Sequence, residues 1–254
     1  MATTTQPDAL DVGEPGRDMA GKAIRLNRRL YMQFLAFGDC GDEAPLIQAL
    51  RESGHCTVLY RDLHDPSGVG LLALHESPDF FVQPLRDLLR AAPFSALRLK
   101  PAFTMFGRTY SLGYETDLEH VLLHRPRERV QNPAWPWHVW YPLRRTGSFA
   151  RLEPKRQREM LMEHGRLGNE FGEANLARDI RLACHGLDTH DNDFVIGLIG
   201  AELHPLSALV QAMRATQQTS EYLASLGPFF VGRVQWQSHP QGQDAAEDSS
   251  ASSS

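Results

Sequence analysis

The sequence predicts an α+β fold in which two ferredoxin-like units form one α+β barrel within a single chain. Three observations carry that prediction. Apolar residues follow the order β-α-β-β-α-β, the same order occurs twice, and polar or turn-rich segments separate the elements. A four-stranded sheet with helices on one face leaves its other face bare, and two such units can cover each other.

In the first half, placed at 27–112, RRLYMQFLAFG (28–38) reads as a strand and PLIQALRESG (45–54) as a helix. Strands CTVLYRDL (56–63) and GVGLLALHE (68–76) follow, separated by the turn signal His64-Asp65-Pro66-Ser67-Gly68. FFVQPLRDLLRAA (80–92) has helical spacing, and LRLKPAFTMFG (97–107) is extended. The second half, at 137–236, begins with strand WHVWYPL (137–143) and a long helix, PKRQREMLMEHGRLGNEF (154–171). Strands DIRLACHG (179–186) and DFVIGLIGAEL (193–203) flank the turn-rich LDTHDND. LSALVQAMRATQQTSEYLASLG (206–227) reads as a helix with a glycine stop, and FFVGRVQW (229–236) as the last strand. Residues 113–136 form a linker too long for a simple turn, and 1–26 and 237–254 read as disordered tails because they are poor in apolar residues.

The 254 residues are 42% hydrophobic and 22% charged, with a formal net charge of −5. That composition fits a soluble globular chain with a sizeable core and shows no basic footprint for nucleic acid. Three scattered cysteines, Cys40, Cys56 and Cys184, argue against a disulfide scaffold or a closed zinc site. No secretory signal pattern opens the sequence and no apolar run reaches membrane-spanning length, so a cytoplasmic location is expected.

Eleven histidines without paired-ligand spacing do not make a metal site by themselves. His164 differs because it stands in Glu163-His164-Gly165 on the long helix, with Gly168 also clearing bulk around it. It reads either as an exposed histidine on an amphipathic helix or as an axial ligand to iron. A second cluster, Trp135-Pro136-Trp137-His138-Val139-Trp140-Tyr141-Pro142-Leu143-Arg144-Arg145, reads either as a buried aromatic strand with a solvated basic end or as a pocket wall with an anion at its mouth.

Taken together the two clusters resemble the chlorite dismutase and coproheme decarboxylase superfamily. Its members carry a Tyr-Pro-hydrophobic-x-Lys/Arg strand, here Tyr141-Pro142-Leu143-Arg144-Arg145, and a later helix bearing Glu-His-Gly, here with His164 23 residues after the tyrosine. Gly186-Leu187-Asp188, Asp193-Phe194-Val195 and the closing GPFFVG (227–232) match as well, within a resemblance spanning about 28–235. The resemblance implies the same duplicated barrel, usually assembled as a homopentamer. It makes His164 the iron ligand, Tyr141 the tyrosine that attacks a propionate, and Arg145 the propionate partner; the pocket-wall reading adds Arg144 and Trp140 as cofactor contacts, and Arg181 joins them from beside the distal position. A phenol with an ordinary pKa near 10 stays protonated at neutral pH and can lose a proton and an electron together. One subfamily has a distal histidine base 17 residues before the tyrosine, where His124 stands; His120 matches the local wording better. The distal position itself falls on Asp179, with Arg178 and Arg181 close by, and alternation puts Arg181 on the face of Asp179 and Arg178 on the other.

The expected activity is peroxide-dependent decarboxylation of iron-coproporphyrin III to haem b, with the tetrapyrrole as both substrate and redox centre and hydrogen peroxide as oxidant. The alternatives are a chlorite dismutase holding haem b and a non-catalytic haem-binding barrel, since fold does not fix function.

Overall fold

The computed structural model describes residues 10–238; the parts of the expected tails at 1–9 and 239–254 lie outside them. Strands β1 (Glu14–Arg17) and β2 (Ala23–Leu26) form a separate hairpin. The chain continues through β3 (Tyr31–Gly38), α1 (Ala44–Ser53), β4 (Thr57–Asp62), β5 (Val69–His75), α2 (Asp79–Val82), α3 (Pro84–Arg90), β6 (Arg98–Leu99) and β7 (Met105–Arg108). A π-helical turn at His120–His124 leads into α4 (Arg125–Val130). The second half follows as β8 (Trp137–Arg145), α5 (Gly147–Ala150), α6 (Pro154–Glu173), β9 (Arg178–Ala183), β10 (Phe194–Gly200), α7 (Leu203–Arg214), α8 (Gln217–Tyr222), β11 (Leu223–Leu226) and β12 (Phe230–Gln237).

All strands after the hairpin belong to one ten-stranded antiparallel sheet. Pairing runs β3–β5–β4–β12–β8–β10–β9–β7 and returns to β3, with β6 added on β3 and β11 on β8. The β7–β9 contact is a single residue pair, Arg108 with Ala183.

Alternation divides the apolar residues of each strand between two layers. Met32, Phe34 and Ala36 of β3 join Val58, Tyr60, Trp140, Ile180 and Phe230 in one core to which both halves contribute. Leu35 and Phe37, one step out of phase, pack with Leu46 and Leu50 of α1 and Leu85 of α3. In the second half Val139, Tyr141 and Leu198 pack with Ala177 and with Leu206 and Leu209 of α7. The face of the sheet that carries Tyr141 therefore lies under α6 and α7, away from the shared core.

The structure departs from the expected elements in three places. Residues 14–26 are not a tail. The Glu14 carboxylate is buried, paired with Arg108 and accepting the Ser111 N–H at 3.0 Å, and Gly16 leaves room for Leu118. The hairpin is thus pinned by residues far along the chain, beyond the reach of local pattern. The helix expected at 80–92 breaks at Gln83 (φ −125°, ψ −90°), because the residue before Pro84 is barred from helical geometry. The helix expected at 206–227 stops at Arg214; Thr216 turns extended, and Leu223–Leu226 adds a strand to β8. No helix among the described residues is long and apolar enough to cross a membrane.

Candidate functional site

Cross-strand register assembles the site. Tyr141 of β8, Ile196 of β10 and Arg181 of β9 stand in one row, and Val139, Leu198 and Asp179 in the next. Directly paired residues share a sheet face, so Tyr141, Asp179 and Arg181 are brought together toward the helical layer. Arg145, four residues after Tyr141, has the same parity on β8.

The Tyr141 ring is buried and stacks on Phe229, with centroids 4.6 Å apart. Burial pushes its phenol above the ordinary pKa, Asp179 pushes the same way, and Arg214 opposes them. The group is therefore a neutral phenol throughout the physiological range. The Arg145 guanidinium lies 4.6 Å from the Phe149 ring centroid and 4.8 Å from that of Phe194. Its Nε is buried without a hydrogen-bond partner, and the Asp193 carboxylate that could have met it takes the Arg145 backbone N–H at 2.7 Å. Burial lowers the Arg145 pKa, with Tyr110 and Asp193 acting against that. A cation held by two aromatic faces with an orphaned donor is arranged to receive an anionic oxygen.

His164 projects from α6, whose first turn starts at Pro154 with the fixed backbone angle that favours helix entry. Its Nδ1 lies 3.3 Å from Thr216 Oγ1, and Thr216 gives its own proton to the Met213 carbonyl at 2.7 Å. The hydroxyl oxygen then accepts from Nδ1–H, which leaves Nε2 unprotonated, with a lone pair able to bind a metal. Burial, followed by Arg145 and Arg181, holds the imidazole below its ordinary pKa and so keeps it neutral at pH 7. A Cβ added at Gly165 would meet nothing, and one at Gly168 only the Met213 methyl at 3.7 Å. The helix surface beside His164 is open at Gly165 and Gly168.

On the sheet side Asp179 holds Arg181, Oδ2 to Nε at 3.1 Å, and Arg129, Oδ1 to Nη1 at 3.4 Å. These three side chains line a cleft with Thr109, Tyr110 and Arg125.

Several of the residues that the sequence pointed to stand elsewhere. Trp140 is fully buried in the shared core, on the β8 face opposite Tyr141, because adjacent strand residues point apart. Arg144 has the same opposite parity and pairs with Asp191 at 3.1 Å. His120 lies 3.8 Å from Glu128 and His124 is exposed; Val121, Arg125 and Arg129 form the stripe of that helix lining the cleft. Arg178 donates to the Gly172 carbonyl and lies over Trp135, so it braces the end of α6. Conversely, the sequence gives no local sign of Thr216, Phe149 or Tyr110 as site residues. Each reaches the site through tertiary packing, and Phe229 is signalled only by its place within GPFFVG.

The sequence profile of the chlorite dismutase family matches residues 71–235. The chain belongs to the chlorite dismutase family. Solved structures of like fold include a heme-binding protein from Thermus thermophilus, 17% identical, with a TM-score of 0.64 over 82% of this chain and 91% of that one. Chlorite dismutase from Candidatus Nitrospira defluvii is similar in two variants. A tryptophan-to-valine form is 16% identical, with a TM-score of 0.65 over 83% of this chain and 93% of its own. An arginine-to-lysine form is 14% identical, with a TM-score of 0.62 over the same shares. A comparison with curated sequences finds no match. The family thus confirms the expected kinship and a mixed α+β fold with a large antiparallel sheet, and haem-dependent enzymes are among its members.

Proposed function

We propose that this chain binds iron-coproporphyrin III between α6 and the β8–β10–β9 face and converts it to haem b by peroxide-dependent oxidative decarboxylation. One observation carries the reading: a buried neutral phenol, Tyr141, shares a sheet face with half-buried Arg145, whose Nε is buried without a partner and whose charge acts on His164. The residues fit the group, since Arg145 lacks the anion its orphaned Nε calls for and the surface at Gly165 is open.

In this reading His164 Nε2 holds the iron and Thr216 holds the ring in the ligating tautomer. Arg145 takes a propionate carboxylate, and Tyr141 stands beside a second one. Once bound, the tetrapyrrole iron supplies the redox chemistry with hydrogen peroxide. Tyr141 then gives up its hydroxyl proton and an electron, takes a hydrogen atom from the propionate side chain, and returns to the phenol; the substrate radical gives a second electron to the peroxide-oxidised centre and releases its carboxylate as CO2, leaving the vinyl group. Its stack on Phe229 fixes the ring, and burial keeps water from competing.

Chlorite splitting calls for a cation free to hold an oxyanion over the iron. Arg181 and Arg129, the cations flanking Asp179 in the cleft, are both engaged by it, which supports decarboxylation over that reaction. The circular pairing of eight strands supports two ferredoxin-like halves, at 27–112 and 137–236, closing into one barrel. Family resemblance supports a homo-oligomer, a pentamer.

The test pairs binding with chemistry. Titration with iron-coproporphyrin III should give a Soret shift that His164→Ala changes, and mass spectrometry after peroxide should show loss of two carboxyl groups by the parent chain but not by Tyr141→Phe, which still binds. Unchanged decarboxylation by Tyr141→Phe removes that residue from the reaction. Sustained oxygen release from chlorite replaces the proposal with chlorite dismutation, and binding without either reaction leaves a haem carrier.

A further inference from the structure

The shared core holds a pair of polar side chains that the proposed chemistry at Tyr141 does not use. Tyr60 and His138 are both 0% exposed, and the Tyr60 hydroxyl lies 2.9 Å from His138 Nδ1. His138 Nε2 lies 3.0 Å from the Trp135 carbonyl, an oxygen that can only accept. Nε2 therefore carries the proton, Nδ1 is the acceptor, and the Tyr60 O–H donates to it. Burial lowers the His138 pKa to about 3, so this acceptor is neutral at any working pH.

The pair is joined to β8 by aromatic packing. Phe34 lies 6.0 Å from Tyr60 and 6.0 Å from Trp140, to which it is stacked at 22°. The Trp140 indole N–H approaches the Tyr60 oxygen, yet its Nε1 makes no hydrogen bond of good geometry and is buried. Trp140 immediately precedes Tyr141, so the ring on the core side and the phenol on the site side are adjacent along one strand.

We propose that Tyr60 and His138 form a second redox site, a buried electron donor that drains an unused oxidising equivalent from the tetrapyrrole site through Trp140. This rests on the proposed reaction, which names the oxidant as a tetrapyrrole centre oxidised by hydrogen peroxide. Trp140 gives one electron to that centre and keeps its N–H proton, because the only group it approaches, the Tyr60 hydroxyl, is too weak a base to take it. Tyr60 then gives one electron to the oxidised indole and restores it. In the same step the Tyr60 O–H bond breaks and an N–H bond forms on His138 Nδ1, leaving a neutral phenoxyl radical beside an imidazolium that still donates to Trp135. A one-electron-oxidised phenol is a far stronger acid than imidazolium, so even a desolvated imidazole accepts this proton. Tyr141 sits too close to the propionates to serve as a harmless reservoir; Tyr60, walled in by the core, meets no substrate.

The test uses full-length protein loaded with iron-coproporphyrin III, mixed with hydrogen peroxide, freeze-quenched and read by electron paramagnetic resonance. In a Tyr141→Phe background a radical signal that changes with ring-deuterated tyrosine is expected, and Tyr60→Phe added to that background should abolish it. Nitrogen-15 histidine should also impose a hyperfine coupling on the signal in the single variant, a readout that requires no change at Tyr60. A tyrosyl signal that survives in the double variant, or the lack of one in Tyr141→Phe, overturns the proposal. Continued decarboxylation by Tyr141→Phe instead overturns the role of Tyr141 while the radical still decides that of Tyr60. Failure to load the tetrapyrrole removes the oxidant and overturns both.

Discussion

Replacing Arg145 with methionine separates the cost of a buried cation from its use. The guanidinium sits between Phe149 and Phe194 at 4.6 and 4.8 Å, and methionine keeps an apolar stem between those rings. Each cation–π interaction contributes about 0.5–1 kcal/mol, so giving up both costs roughly 1–2 kcal/mol. Against this, the variant no longer buries an unsatisfied Nε–H, which relieves about 1–3 kcal/mol. The two nearly cancel, so the ligand-free protein should unfold within about 1 kcal/mol of the parent, a shift of roughly 2–4 °C in Tm at most. Binding should respond in one direction only. A charge-assisted bond to a propionate contributes about 1.5–3 kcal/mol, so the Kd for iron-coproporphyrin III should rise roughly 10- to 150-fold. Soret titration measures that Kd, and the tetramethyl ester supplies the control, because the ester carries no carboxylate and should bind both proteins alike. Equal Kd values for the free acid in the two proteins would refute the pairing. A loss of several kcal/mol in the ligand-free variant would refute the cancellation by showing that Arg145 is a structural cation.

Other expectations follow from the same geometry. Thr216→Val removes the acceptor of His164 Nδ1–H and should weaken tetrapyrrole affinity about tenfold, with a shifted iron–imidazole stretch in resonance Raman spectra; an unchanged stretch would detach Thr216 from the ligand. Gly197→Ala places a Cβ 2.5 Å from the Trp140 ring and should cost about 1–3 kcal/mol in denaturant unfolding, and a neutral outcome would mean that the ring is free to move. Stability should fall with acid. His138 stays neutral in the fold until about pH 3 but takes a proton near 6.5 when unfolded, so the unfolded state binds more protons below 6.5. Between pH 7 and pH 5 that one residue removes about 2 kcal/mol, and unfolding curves that coincide at the two pH values would contradict it.

The strands and the long helix were legible because their signals are local. Alternation in RRLYMQFLAFG marked β3, and the PKRQREMLMEHGRLGNEF stretch marked α6 within two residues of its end. The same alternation, applied to β9, set Asp179 and Arg181 on one face and Arg178 on the other, as the register has them. On β8 that rule separates Trp140 and Arg144 from the face of Tyr141, and the family motif, which groups neighbours along the chain, obscured it. The hairpin at 14–26 was lost because the segment is poor in apolar residues, whereas its stability comes from Arg108, Ser111 and Leu118. Thr216 was hidden for a similar reason: it lies 52 residues beyond His164 and marks the end of a helix that local periodicity carried straight through. His120 and His124 stand off the cleft on a finer point, since the stripe facing it runs through Val121, Arg125 and Arg129, one position out of phase.

The circle of paired strands is joined between β7 and β9 by one residue pair, whereas the neighbouring β8–β10 and β9–β10 ladders have seven and six. A ladder that short opens at little cost in hydrogen bonds, and local opening starts where such bonds are fewest. Thr109 and Tyr110 follow directly from β7, and Arg181 lies just before Ala183, so the seam runs along the wall of the cleft. The most yielding line of the sheet and the wall of the cleft therefore share one edge, and the wall can widen there without disturbing the aromatic core behind it.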